Sequence, residues 1–123
     1  MNTYLLLAAA MCCVTNFIHC YFGGKYIAAP LLKARDIHDV AKYTNYFCWH
    51  IITLMLAVMA LAFVWAAYAP QAIEAAVVAE ALALAFTAWI VGLVLWKRQS
   101  FRAMPQWSLF GSISLLGALG IAG

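Results

Sequence analysis

Apolar residues fill the chain in four long blocks, and polar positions gather in the gaps between them. The blocks run from about Tyr4 to Phe22, Asn45 to Ala69, Ala72 to Trp96 and Gln106 to Ala122. Inside each block the apolar residues cover every helical face, as expected of a helix surrounded by hydrocarbon rather than one lying on a water-facing surface. A membrane span needs about 20 such residues, which the first three blocks supply; the fourth is shorter and rich in Gly and Ser. The gaps carry helix breakers: Gly23-Gly24 is expected to end the first span, Pro70 follows the second, and Lys97-Arg98 and Pro105 separate the third from the fourth. The pattern predicts an all-α integral membrane protein, one domain over residues 1–123, with four transmembrane helices in an antiparallel bundle. Ile27, Leu31, Ile37, Val40 and Ala41 alternate with charge between the first two spans. After Pro30 they predict a short amphipathic segment on the cytoplasmic surface, with His38 as a surface residue.

Composition agrees. Of 123 residues, 68% are hydrophobic and 9% charged, whereas a soluble domain carries about 25% charged residues. The formal charge of +3 does not point to nucleic acid, because every basic residue lies at a span boundary and no aromatic-studded basic surface accompanies them. Lys25, Lys33, Arg35 and Lys42 fall between spans one and two; Lys97, Arg98 and Arg102 fall between three and four. The positive-inside rule therefore places segments 24–44 and 97–105 in the cytoplasm and both termini on the other side, in the orientation expected for a bacterial inner membrane. Tyr21, Tyr26, Tyr43, Trp96 and Trp107 would mark the cytoplasmic interface, and Tyr4, Trp65 and Tyr68 the opposite one. No basic n-region or small-residue cleavage pattern precedes the first block, so it is expected to stay as a span.

Ionisable groups inside a span are costly and mark candidate functional sites. Three qualify. His19 lies before the cytoplasmic end of span one and His50 after the start of span two, so a rise of 1.5 Å per residue puts both roughly 6–8 Å below one interface. Each heads a stripe of small or polar residues: Ala8, Cys12, Thr15 and His19; His50, Thr53, Ala57 and Ala60. Such stripes are where membrane helices approach closely, so both imidazoles are expected to face inward. Gly92 and Gly111 fall near the same depth on spans three and four. Two histidines with two glycines at one level would suit a b-type haem with axial nitrogen ligands, with Lys25, Arg35, Lys42, Arg98 and Arg102 at hand for the propionates. A copper or zinc ion on His19 and His50 with Cys20 or Cys48 is the metal alternative, and a proton or quinone role for the pair is the other. A plainer account also fits: such histidines bond water, a carbonyl, Thr15 or Asn16, no cofactor is bound, and sequential helices pack too closely for a haem between them.

Glu80 lies about 12 Å from the non-cytoplasmic face, on a stripe of Ala72, Ala76, Glu80, Ala83 and Thr87. No Lys, Arg or His shares that depth on another span, so the group is expected to serve as a contact to another subunit or as a proton site. Cys12, Cys13, Cys20 and Cys48 all lie within or beside apolar spans and are read as small apolar fillers. Phosphate-binding loops, zinc-protease motifs and nucleophile–base sets are absent.

The segments Phe17-Ile18-His19-Cys20-Tyr21-Phe22-Gly23-Gly24 and Trp49-His50 resemble small bacterial membrane proteins with a histidine in each of their first two spans. The resemblance covers roughly the first half of the chain and implies no activity. The expected function is a non-catalytic accessory subunit of a larger membrane complex, such as a respiratory or photosynthetic one, contacting lipid and either other subunits or copies of itself. The alternatives are a haem or metal redox protein using His19 and His50, and a small transporter or channel component with Glu80 as its polar site.

Overall fold

A computed structural model describes all of residues 1–123. The chain is 85% helical and has no strands. Its elements are α1 (Thr3–Ile18), a π-helical stretch (His19–Ala28), α2 (Ala29–Lys33), α3 (Asp39–Tyr68), a 3-10 turn (Pro70–Ala72), α4 (Ile73–Trp96) and α5 (Gln106–Ala122). Three continuous helical runs, Thr3–Lys33, Asp39–Tyr68 and Pro70–Trp96, are long and apolar enough to cross a membrane, and Gln106–Ala122 is a shorter apolar helix.

The turns at Pro70 and Pro105 fall where the sequence places them. The first connection does not. Gly23-Gly24 does not end the helix: the backbone widens into π geometry at His19 and keeps its internal hydrogen bonds through to Ala28. Pro30 then sits in the first turn of α2, where its missing N–H costs nothing. Gly23 is held from outside as well, because Trp49 of α3 lies across it; a Cβ there would come within 2.5 Å of the indole. The amphipathic segment expected after Pro30 is therefore split. Its first part extends the first helix to Lys33, its last part opens α3 at Asp39, and only residues 34–38 are non-helical. His38 caps α3 by accepting from the Val40 N–H through Nδ1.

Around the cluster the helices follow the order α1–α3–α4–α5, and α5 closes back on α1. Each gives one face to the interior: Leu5, Ala8 and Cys12 from α1; Leu56, Met59 and Phe63 from α3; Ala76, Ala79 and Ala83 from α4; Phe110 and Ile113 from α5. Alanine on α4 lets its neighbours approach, and Phe63 and Met59 fill the space this leaves. Asn2 ties one end together. Its backbone N–H donates to the Ala67 carbonyl at 3.0 Å, its Nδ2 donates to the Gly120 carbonyl at 2.7 Å, and its Oδ1 caps α1 by accepting from the Leu5 N–H at 3.2 Å. The start of α1, the α3–α4 turn and the end of α5 thus share one end, and all seven Lys and Arg residues belong to the segments at the other. Only 24 of 123 residues are buried, so most of the apolar side chains point outward, where lipid would solvate them.

Candidate functional site

At the cation-bearing end, α1, the π stretch, α3 and α5 enclose a cavity of about 230 Å³. Its inner wall is Thr15, Leu56 and Phe110, all buried, and its mouth is Phe22, Tyr26 and Ile27, all exposed. His19 and Gln106 complete the polar part of the lining, and no Lys, Arg, Asp or Glu contributes. The His19 ring stacks on Trp49 with centroids 4.0 Å apart, and its Nε2 lies 3.1 Å from the Trp49 carbonyl. A carbonyl only accepts, so Nε2 carries the proton, and in the neutral ring Nδ1 presents a lone pair. Asn16 Nδ2 donates to the Thr53 carbonyl at 3.2 Å one turn away, a second tie between α1 and α3.

Two residues of the lining, Thr15 and Gln106, each carry an oxygen (Oγ1 and Oε1) that is buried without a partner and is not itself open to the cavity. Thr15 is unusual among the helical hydroxyls shielded from solvent. Thr87 and Ser112 each donate to the carbonyl four residues back, both at 2.8 Å, the ordinary solution for a helical hydroxyl in an apolar setting. Thr15 does not, and an unsatisfied buried group of this kind costs about 1–3 kcal/mol.

His50 lies elsewhere. It is exposed, meets Tyr46 edge-on at 4.6 Å between centroids, and lines a separate cleft with Cys20, Gly24 and Leu32. Trp49 borders both spaces. The expected inward stripe holds on α1, where Ala8, Cys12 and Thr15 are buried, but not on α3, where His50 and Ala57 are exposed and Leu56, Met59 and Phe63 take the inner face. One residue along a helix is about 100° of rotation, and Trp49 occupies the inward direction that His50 would need. Gly92 is exposed with open space beside it, and Gly111 meets only Thr87 Cγ2 at 3.9 Å. The four residues expected to frame a haem therefore do not face one space. Nor do three or more His, Cys, Asp or Glu side chains converge on a point that would hold a metal ion.

Glu80 forms the second polar region, towards the opposite end. It is 7% exposed, and Ser114 Oγ of α5 donates to its Oε1 at 2.5 Å, leaving Oε2 without a partner. Gly117, one turn further along α5, lies directly against the carboxyl: a Cβ there would collide with Oε2 and meet the Phe63 ring at 3.1 Å. The side chain thus faces α5 inside the cluster, and not outward where another subunit would reach it. A search for cations at its depth overlooks Ser114, a neutral hydroxyl in the Gly/Ser-rich fourth block.

No family model, curated protein or solved structure matches this chain. The remaining candidates fall outside both polar regions. Cys12 is buried in the core, and Cys13, Cys20 and Cys48 are exposed and unpaired. Cys20 Sγ lies 3.6 Å from Asn16 Oδ1 and 3.9 Å from Thr53 Oγ1, a weak polar seam between α1 and α3.

Proposed function

We propose that the chain is a four-span membrane protein that acts as a non-catalytic accessory subunit, docking a helix of another subunit or a second copy against the outer face of α4. The observation that carries this reading is the pattern of exposed residues on α4. Ala81, Ala85, Ala88 and Gly92 are all exposed, and their spacing of four, three and four lays them in one line along the helix. Val77, Leu84 and Leu95 rise on one side of that line and Val78, Trp89 and Trp96 on the other, all exposed. A small-residue groove between apolar ridges lets a second backbone approach closely, which is how helices associate where hydrocarbon offers no hydrophobic drive. The outward faces of α1 and α3 carry bulky side chains instead, such as Phe17 and Val14, and Leu54, Val58 and Leu61.

The orientation that accompanies this reading places segments 24–44 and 97–105 in the cytoplasm and both termini on the other side. Support comes from the collection of all seven cations at one end and none at the other. At 1.5 Å per residue, α5 spans about 25 Å, less than the hydrocarbon thickness of about 30 Å. Local thinning and flanking residues at the interface absorb a mismatch of this size.

The test is oligomeric state in mild detergent and in native membranes, with Ala85→Leu and Ala88→Leu filling the groove and a cysteine at Ala85 for cross-linking. The expected result is a larger species or a cross-linked partner that the two leucine variants lose while their helicity is unchanged. A detergent-stable monomer with no partner in native membranes, indifferent to both substitutions, would overturn the reading.

A further inference from the structure

We infer that the cavity beside His19 holds part of one acyl chain of an anionic phospholipid, whose head group rests between Lys25 and Arg102 at the mouth. Such a site needs the chain to span a membrane, as the reading above holds, but it does not need the α4 groove. The surface open to an occupant is mostly hydrocarbon. Ile18, Ile52, Leu56, Leu109 and Phe110 line the space, and the buried oxygens of Thr15 and Gln106 are shut off from it. The His19 ring is committed to Trp49, by stacking and through Nε2. A charged group drawn inside would lose its water without replacement. A methylene chain has no such cost.

Size and opening point the same way. A volume of about 230 Å³ falls short of the roughly 300–1,000 Å³ of pockets that enclose a whole small molecule, so the space suits one part of a longer one. Phe22, Tyr26 and Ile27 at the mouth are exposed, on the apolar surface that meets lipid in a membrane-spanning chain. An acyl chain enters there sideways, without leaving hydrocarbon.

The rim selects the head group. The mouth lies at the cation-bearing end, and each of its two sides carries a cation. On the π stretch, Lys25 Nζ stands 5.3 Å from the ring centroid of Tyr26, itself a lining residue. On the α5 side, Arg102 directly precedes Ala103, which lines the space with Pro105 and Gln106. Both cations are exposed, and neither has a carboxylate partner, since the one salt bridge in the chain joins Lys42 to Asp39. Two unpaired cations at the edge of an apolar slot complement a lipid phosphate. A zwitterionic head group would bring a cation of its own to the same place. Basic pockets between membrane helices on the cytoplasmic side bind anionic head groups in this manner.

The experiment uses the full chain in non-ionic detergent, titrated with dioleoyl phosphatidylglycerol or dioleoyl phosphatidylcholine and read by native mass spectrometry. The expected result is one phosphatidylglycerol retained per chain, preferred over phosphatidylcholine by about thirtyfold, from about fivefold for each cation at the rim. Lys25→Gln and Arg102→Gln should each cut that preference by about fivefold. Lys97→Gln removes a cation of the same end that sits over Trp96 on α4, and should leave the preference unchanged. Ala103→Trp, at the exposed rim, should abolish retention. Glycerol phosphate, which has the charge without the chain, should not compete. Equal retention of the two lipids, an equal effect of all three glutamine variants, retention unchanged in Ala103→Trp, or displacement by glycerol phosphate would each overturn the proposal. So would a dimer that dissociates in Ala103→Trp, which would put a second copy at the mouth in place of lipid.

Discussion

Replacing Gly117 by Ala tests the contact on which the Glu80 region depends. The added Cβ would collide with Glu80 Oε2 and stand 3.1 Å from two atoms of the Phe63 ring. Glu80 and Phe63 are 7% and 0% exposed, so neither swings aside into open space. Overpacking of this kind costs about 1–3 kcal/mol. Displacing the carboxyl also strains the bond from Ser114, and side-chain hydrogen bonds between membrane helices average about 0.6 kcal/mol with a maximum near 1.7. Against this stands the higher helix propensity of Ala, at most about 1 kcal/mol. The steric part dominates, and the net loss expected is about 2 kcal/mol. Gly111→Ala is the internal control on the same helix, because its Cβ would meet only Thr87 Cγ2 at the ordinary distance of 3.9 Å; it should be neutral or slightly stabilising. Reversible unfolding in mixed micelles with increasing SDS, followed by circular dichroism, compares the two. The double variant Glu80→Ala/Gly117→Ala should recover only part of the loss, since the Phe63 contact persists. Equal unfolding midpoints for Gly117→Ala and Gly111→Ala would refute the close approach of α5 to Glu80.

The same titration checks two further expectations. Asn2→Ala removes both the α1 cap and the bond to Gly120, and should destabilise by about 1–2 kcal/mol; Asn2→Asp keeps the cap alone, so a stability of Asn2→Asp equal to that of the unsubstituted chain would show that the Gly120 tie contributes nothing. Arg98 has φ 51 and occupies the left-handed position after α4, where the Gln99 N–H closes on the Val94 carbonyl at 2.9 Å. Arg98→Gly should therefore gain about 1 kcal/mol over Arg98→Ala, and no difference between them would remove the strain from the account.

Four apolar blocks and proline-marked turns were enough to count the helices, because the gaps between apolar runs carry residues that interrupt a helix. The fourth block, 106–122, coincides with α5, and Pro70 and Pro105 sit at the turns they announce. Gly23-Gly24 misled because glycine weakens a helix only where nothing else holds it. Here Trp49, far along the sequence, packs on Gly23 and makes the missing side chain a requirement. The shared level of His19 and His50 along the helices was legible from residue counting, and His19 stacks on Trp49, the neighbour of His50. Direction was not: whether His50 or Trp49 turns inward depends on which of two adjacent positions packs better against α1, and only the assembled helices decide that. Ser114 was visible as a residue but not as the partner of Glu80, because a neutral hydroxyl gives no charge signal. The orphaned Thr15 and Gln106 were invisible for a related reason, as each is defined by a hydrogen bond it does not make.

Asn2 has a consequence for how the molecule is made. Its side chain bonds to a carbonyl 118 positions away, on α5, which is made after the other three helices, while Leu5 packs against the same glycine. Until α5 arrives, α1 has an open flank and Asn2 lacks one of its bonding partners. The ring of helices is thus fastened only once α5 is made, by a contact between the start of α1 and the end of α5. A chain interrupted before α5 would leave that seam open, with Asn2 and the inner face of α1 lacking the helix that covers them in the ring.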